Sequence, residues 1–209
     1  MARPPSGTDI KLKAAGRKLL QENGITGLSV RETCRLAGVN TGMFHYYFGS
    51  KEEFLKEVLK EIYADFMLNF KTGVSVAGTP RDKLKAALVE IGKFALAVRK
   101  AAPMLLSDVI HGKKEAFEFI RGNFTEHVSH IVALAAQCRP RSAVSGHSIP
   151  FMVLTLLPVM VFPIIISGIL DRNGIKKLKD QDVEELRGEL FSDAGIAERA
   201  EIALRGIGL

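Results

Sequence analysis

Residues 38–53, GVNTGMFHYYFGSKEE, place four aromatics (Phe44, Tyr46, Tyr47 and Phe48) in five positions between a glycine and a Ser-Lys-Glu-Glu run. Gly38 ends one helix in the left-handed conformation that glycine adopts cheaply. Only Val39 and Asn40 separate that end from the next helix. Ser50, followed three residues later by Glu53, is a capping box that opens a further one. Two short helices joined by a glycine-containing turn of this length are the helix-turn-helix signature. At about 100° per residue, Phe44 and Phe48 share one edge of the second helix, while Thr41, Gly42, His45 and Tyr46 cover a neighbouring arc. The phenylalanines are the core-facing edge. A hydroxyl, an imidazole, a phenol and a bare backbone on the other arc are of no use to a scaffold, but a surface entering a major groove can use each of them.

Upstream, LSVRETCRLAGV carries Ser29 and Glu32 at capping-box spacing, with Val30, Thr33, Cys34 and Ala37 on one face. Cys34 sits in that face and reads as a small core residue. A first helix is expected from Thr8 to a stop at Asn23-Gly24. Ile10, Ala14 and Leu20 give it an apolar stripe, and Lys11, Lys13, Arg17 and Lys18 a solvated face. Residues 1–8 are polar and proline-rich and are expected to form a disordered arm whose Arg3 can approach a phosphate.

Residues 10–60 resemble the amino-terminal DNA-binding domain of the TetR family of bacterial transcriptional regulators. The likeness rests on the capped SVRETCRLAGV helix, on GVNTGMFHYYF in place of the family's recognition helix, and on the SKEEFL that opens the next helix. The resemblance implies an all-α homodimer with a helix-turn-helix head and a carboxyl-terminal domain that binds a small molecule. It places Asn40, Thr41 and Gly42 at the start of the recognition helix, near phosphate and base edges. His45 and Tyr46 reach into the groove, and Tyr47 hydrogen-bonds a phosphate. Lys51 holds a phosphate beside a helix amino terminus, and Ser29 and Arg31 add contacts from the second helix. Thr41 stands where the family often has lysine, and Leu28 where it often has a small polar residue.

Further downstream the pattern stays helical. Leu55, Leu59, Ile62, Phe66 and Phe70 recur through a helix expected over 50–72, which links the head (9–49) to a second domain (50–209). Thr79-Pro80-Arg81-Asp82 starts another helix, whose stripe is Leu84, Leu88, Ile91, Phe94 and Val98. A helix over 114–138 and a loop at Arg139-Pro140-Arg141 follow. Phe66, Phe94, Met104, Phe117, Phe124 and Met152 are the residues expected to line a pocket for an effector that is at least partly apolar. Plain core is the default reading of each, since apolar helical stripes are core by default.

The stretch 142–170 carries no Asp, Glu, Lys or Arg, and the segment 149–170 is long enough to span a bilayer. A membrane-anchored helical protein is therefore the rival reading. The amphipathic helices elsewhere favour a soluble dimer instead, with 149–170 and a closing helix over 194–207 forming the contact. Pro158 and Pro163 predict a kinked or interrupted helix. Residues 171–192 read as a charged, glycine-interrupted loop with one helical turn or more at 182–190.

The chain has 209 residues, 47% of them hydrophobic and 25% charged, enough to bury a sizeable core. Its net charge is +6, but residues 1–70 hold 10 Lys and Arg against 8 Asp and Glu, so basicity is not concentrated in the head. Two cysteines form no disulfide framework and match no metal-ligand spacing, which fits a cytoplasmic protein, and no secretory signal is evident. His127 and His130, and Asp108 with His111, sit at metal-like spacing without a third ligand. No nucleophile motif, phosphate loop or paired carboxylate appears, so neither an enzyme nor a cofactor or metal is expected. The reading is a ligand-responsive repressor that binds a pseudo-palindromic double-stranded operator as a homodimer.

Overall fold

A computed structural model describes residues 7–112, 114–138 and 148–209. The chain divides into two compact units, residues 1–65 and 66–209, with the boundary inside one continuous helix.

In the first unit α1 (Gly7–Gly27) is broken at Gly24, which takes φ 67° and ψ −169°, close to the expected stop. Helices α2 (Val30–Ala37) and α3 (Thr41–Phe48) follow, and then α4 (Lys51–Val76). The buried face of α1 is Leu12, Ala15, Gly16, Leu19 and Leu20, whereas Ile10 and Ala14 are exposed. Gly16 explains the shift of face. A Cβ there would lie 2.5 Å from the Phe54 ring, so only glycine lets the aromatic come this close. The cations read as a solvated face are also partly engaged. Lys13 pairs with Glu61 and Arg17 with Asp65, both on α4, at 2.5 Å.

On α4 the core stripe begins at Phe54 and Val58, with Leu55 and Leu59 only half-buried. Phe44, Phe48 and Phe54 form a triangle with ring centroids 4.8–5.6 Å apart. Two expected capping boxes are half-formed. Ser29 and Ser50 accept from the amides of Glu32 and Glu53, but those carboxylates turn instead to Arg35 and Lys56 three residues on.

In the second unit α5 (Pro80–Ala97) begins with a complete capping box between Thr79 and Asp82. Then come α6 (Ala102–Ile110), α7 (Lys114–Gln137) and α8 (Ile149–Arg172). A two-residue antiparallel ladder, β1 (Lys177–Leu178) with β2 (Gln181–Asp182), replaces part of the expected loop. After it, the helical turn or more expected at 182–190 is the full helix α9 (Val183–Phe191). Asp182 caps it, and Arg187 ties it back to Ser167 and Asp171 of α8. The closing helix is α10 (Asp193–Gly206). Helices α5, α7, α8 and α10 pack around the core that contains Leu84, Leu88, Ile131, Leu156, Met160, Ile164, Ala200 and Leu204. Glu201 of α10 gathers Arg81, Lys85 and Arg205 at 2.6–3.0 Å, and these cations hold its carboxyl down at about 2.

Helix α8 runs through both prolines without interruption. Pro163 has no N–H, so the carbonyl of Val159 four residues earlier lacks its helical donor. The buried Arg199 of α10 supplies one, donating to Val159 O at 3.3 Å and to Met160 O at 3.2 Å. Its guanidinium also stands 5.6 Å from the Phe191 ring centroid, while Nε and Nη2 find no hydrogen-bond partner. The opposite side of α8 is apolar and uncovered. Phe151, Leu154, Pro158, Phe162, Ile166 and Ile169 recur every three or four residues along it, and Ile202 of α10 is likewise exposed.

Candidate nucleic-acid interface

The exposed surface of α3 exists because the triangle of Phe44, Phe48 and Phe54 holds its other side down. Asn40 caps the helix, its Oδ1 accepting from Met43 N at 2.9 Å. The cap fixes where the helix starts and leaves the adjoining Thr41 and Gly42 exposed. A side chain on Gly42 would meet Asn40 Oδ1 at 3.3 Å, so the absence of one protects the cap as well as the approach of a ligand. His45 is exposed, and Tyr46 is 62% exposed. Tyr47 is half-buried, edge-on to Tyr46 with centroids 5.2 Å apart. Ser29 and Arg31 are exposed at the start of α2. Ser29 spends its hydroxyl oxygen on the Glu32 amide, but a hydroxyl can still donate its own proton. Lys51 is the first residue of α4, at the amino-terminal turn whose Glu53 amide Ser50 caps.

Across α2, α3 and the start of α4 these residues offer hydroxyls, an imidazole, phenols and two cations. The set is suited to an anionic backbone flanked by base edges. Gly38, at φ 67°, and the buried Cys34 sit behind it. The thiol faces Asn40 O at 3.7 Å, and burial raises its pKa. Phe54 and Gly16 were not singled out in the sequence, and they set the depth at which α3 sits. Their signal was the i, i+4 spacing of Phe54, Val58 and Ile62 against a glycine on the facing helix.

Of the six residues expected to line an effector pocket, two are brought together. Phe66 and Phe94 stack at 4.4 Å and 29°, with His127 edge-on to Phe66 at 5.3 Å. Met152 is buried on α8 and Met104 half-buried on α6, while Phe117 is 51% exposed and so stands on the surface. The side chain of Phe124 lies outside the described residues, as do Arg3 of the amino-terminal arm and the loop at 139–141. Among the described residues no group of three or more His, Cys, Asp or Glu is placed to hold a metal.

Burial drives the His127 pKa down to about 4, with Glu126 opposing and His130 reinforcing the shift. The fold therefore favours neutral imidazole. Its stability is complete above the unfolded value near 6.5 and declines as pH falls towards 4. The loss expected by pH 4 is on the order of 3 kcal/mol, read as a lower urea midpoint at pH 4 than at pH 7. His127→Phe should flatten that dependence; an equally steep one would place its origin elsewhere.

Residues 12–58 match the family model described as bacterial regulatory proteins, tetR family. The chain is 46% identical over 55 residues to the HTH-type transcriptional repressor NicS of Pseudomonas putida, a match covering 26% of each chain. It is 27% identical over 74 residues to the HTH-type transcriptional regulator BetI of Rhizobium meliloti, covering 35% of this chain and 36% of that one. These matches span only about a third, or less, of the relatives' length. Over the whole chain the fold is that of SCO4454, a TetR-family transcriptional regulator of Streptomyces coelicolor. The TM-score is 0.70 at 12% identity, covering 99% of this chain and 93% of the other.

Proposed function

Since this chain belongs to the TetR family of bacterial regulatory proteins, we propose that it is a ligand-responsive, DNA-binding transcriptional regulator, a repressor that binds its operator as a homodimer. The observation that carries this reading is the exposed arc of α3, from Thr41 to Tyr46, held by the aromatic triangle of the buried Phe44 and Phe54 with Phe48, with Arg31 and Lys51 on the neighbouring helices. We assign DNA contact to residues 9–49 together with Lys51. Effector binding and dimerisation go to 50–209, with the helix over 50–72 joining the two. Ser29, Arg31, Asn40, Thr41, Tyr47 and Lys51 serve phosphates, and Gly42, His45 and Tyr46 face base edges.

The effector is a small, at least partly apolar molecule taken up in the second unit, where the Phe66–Phe94 stack offers an aromatic wall. It acts through its different affinity for the DNA-competent and released states. The uncovered face of α8, with Ile202 of α10, meets the same face of a second copy. A twofold contact of that kind is self-complementary and gives the operator its pseudo-palindromic symmetry. Helix α8 is long and apolar enough to cross a membrane. Yet one side of it, from Met152 to Gly168, is already buried against the helices of its own unit, and a whole-chain fold shared with a transcriptional regulator disfavours the membrane reading. We assign the protein to the cytoplasm on this reading.

Lys51→Ala tests the phosphate assignment. Binding should weaken alike on specific and unrelated DNA, and the slope of log affinity against log salt should fall by about 1 for each Lys51 in the complex. Titrations at several salt concentrations read both quantities. Selective loss on one operator with an unchanged slope would contradict the assignment.

A further inference from the structure

We propose that His45 is a one-way reader, a specificity-determining residue that selects an exocyclic amino group in the major groove, N6 of adenine or N4 of cytosine. The proposal rests on the DNA-binding reading and adds the chemistry of one contact within it.

The argument starts at Gly49. That residue takes φ 68° and ψ −64° at the end of α3. Its amide donates to the carbonyl of His45 at 2.9 Å, closing the last turn of the helix. Its own carbonyl is brought back to 2.9 Å from His45 Nδ1. The two residues are thus joined by a reciprocal pair of hydrogen bonds. A side chain at Gly49 would be strained at this positive φ, so glycine is what allows the carbonyl to point back.

A carbonyl oxygen has no proton to give, so Nδ1 must be the donor. A neutral imidazole carries a single N–H, and which nitrogen holds it is set by the bond the other nitrogen's partner demands. With the proton committed to Gly49, Nε2 is left with a lone pair and acts only as an acceptor. A flip of the ring would put a C–H in place of Nδ1 and lose the bond to Gly49, so that bond sets the orientation. The edge-on contact with the fully buried Phe44, at 5.6 Å and 80°, favours the same ring plane. His45 is exposed on the same arc as Thr41, Gly42 and Tyr46, so the lone pair is free to meet a ligand.

In the major groove the donors on base edges are the N6 amino group of adenine and the N4 amino group of cytosine. N7, O6 and O4 are acceptors and would face the lone pair unfavourably. A surface histidine with an uncommitted tautomer would accept either pattern. This one rejects half of them.

The test combines selection with single-atom changes to the DNA, at pH 8. Random duplexes are selected with the full-length protein and with His45→Ala. The expected result is an enriched motif in which one position per half-site loses its preference in the variant. Thermal unfolding of the variant should stay close to that of the parent, since an exposed ring is removed. At that position, exchanging adenine for purine, or cytosine for 2-pyrimidinone, deletes the amino group. That deletion should weaken the parent roughly five- to tenfold and leave His45→Ala unaffected. Removing N7 from the same base pair with a 7-deaza analogue should leave both proteins unchanged.

Sensitivity to N7 rather than to the amino group would overturn the proposal by showing the imidazole as a donor. An enriched motif with no position that depends on His45 would overturn it while leaving the DNA-binding reading intact. Failure of the parent protein to enrich any motif would overturn both.

Discussion

Phe44→Ala is expected to destabilise the amino-terminal unit by about 3–5 kcal/mol, the range for truncating a fully buried phenylalanine. The ring is 0% exposed and packs against both Phe48 and Phe54. Phe54 is already packed against Gly16 of α1, so moving it into the space would open a gap there. A unit of this size has a total stability on the order of 3–10 kcal/mol, so the substitution removes a large part of it. Urea unfolding followed by circular dichroism should show a lowered early transition. DNA binding should fall steeply with temperature although no DNA-facing residue has been touched. A midpoint shift worth less than about 1 kcal/mol would mean that the triangle does not hold the head together.

The second large effect is expected at the uncovered face of α8. Leu154 is 73% and Phe162 60% exposed, on a stripe continuous from Phe151 to Ile169. If a second copy covers that stripe, replacing both residues with lysine buries two pairs of unpartnered cations in an apolar contact. Interface anchors of this type contribute about 2 kcal/mol or more each, so the dimer should dissociate at micromolar concentrations in sedimentation equilibrium. Helical content should be kept, because neither side chain belongs to the core of its own chain. Operator affinity should fall with the loss of the second head. An intact dimer would assign the contact to another surface. Removing residues 194–209 would be a poorer test, since Ile196, Ala200, Ala203 and Leu204 are buried in their own chain and their loss would unfold it.

Much of the head was legible in the sequence because its determinants are local. Ser29, Gly38, Asn40 and Ser50 act on backbone within three residues of themselves, and their spacing alone divides the region into helices. The faces of α1 and α4 were less legible, since they depend on partners far along the chain. Gly16 is buried yet has no hydrophobicity to signal it, and Lys13 and Arg17 turn inward only because Glu61 and Asp65 await them on α4. Helix α9 was legible only as one helical turn or more, for the same reason. Its sequence is charged, and what holds Arg187 is a serine and an aspartate on α8. Within the interface, residue types on the exposed arc could be read from periodicity. The bond between His45 and Gly49 could not, because it depends on a positive φ that sequence allows but does not require.

The pairing of Arg199 with Pro163 carries a consequence for the history of the chain. Exchanging the proline first gives Val159 O an amide donor, and a carbonyl has lone pairs enough to keep the arginine as well. Exchanging the arginine first strands that carbonyl, at a cost of about 1–3 kcal/mol. Descendants of this sequence are therefore free to lose the two residues in one order and hindered in the other. The present pair is a ratchet whose direction is set by a missing hydrogen atom.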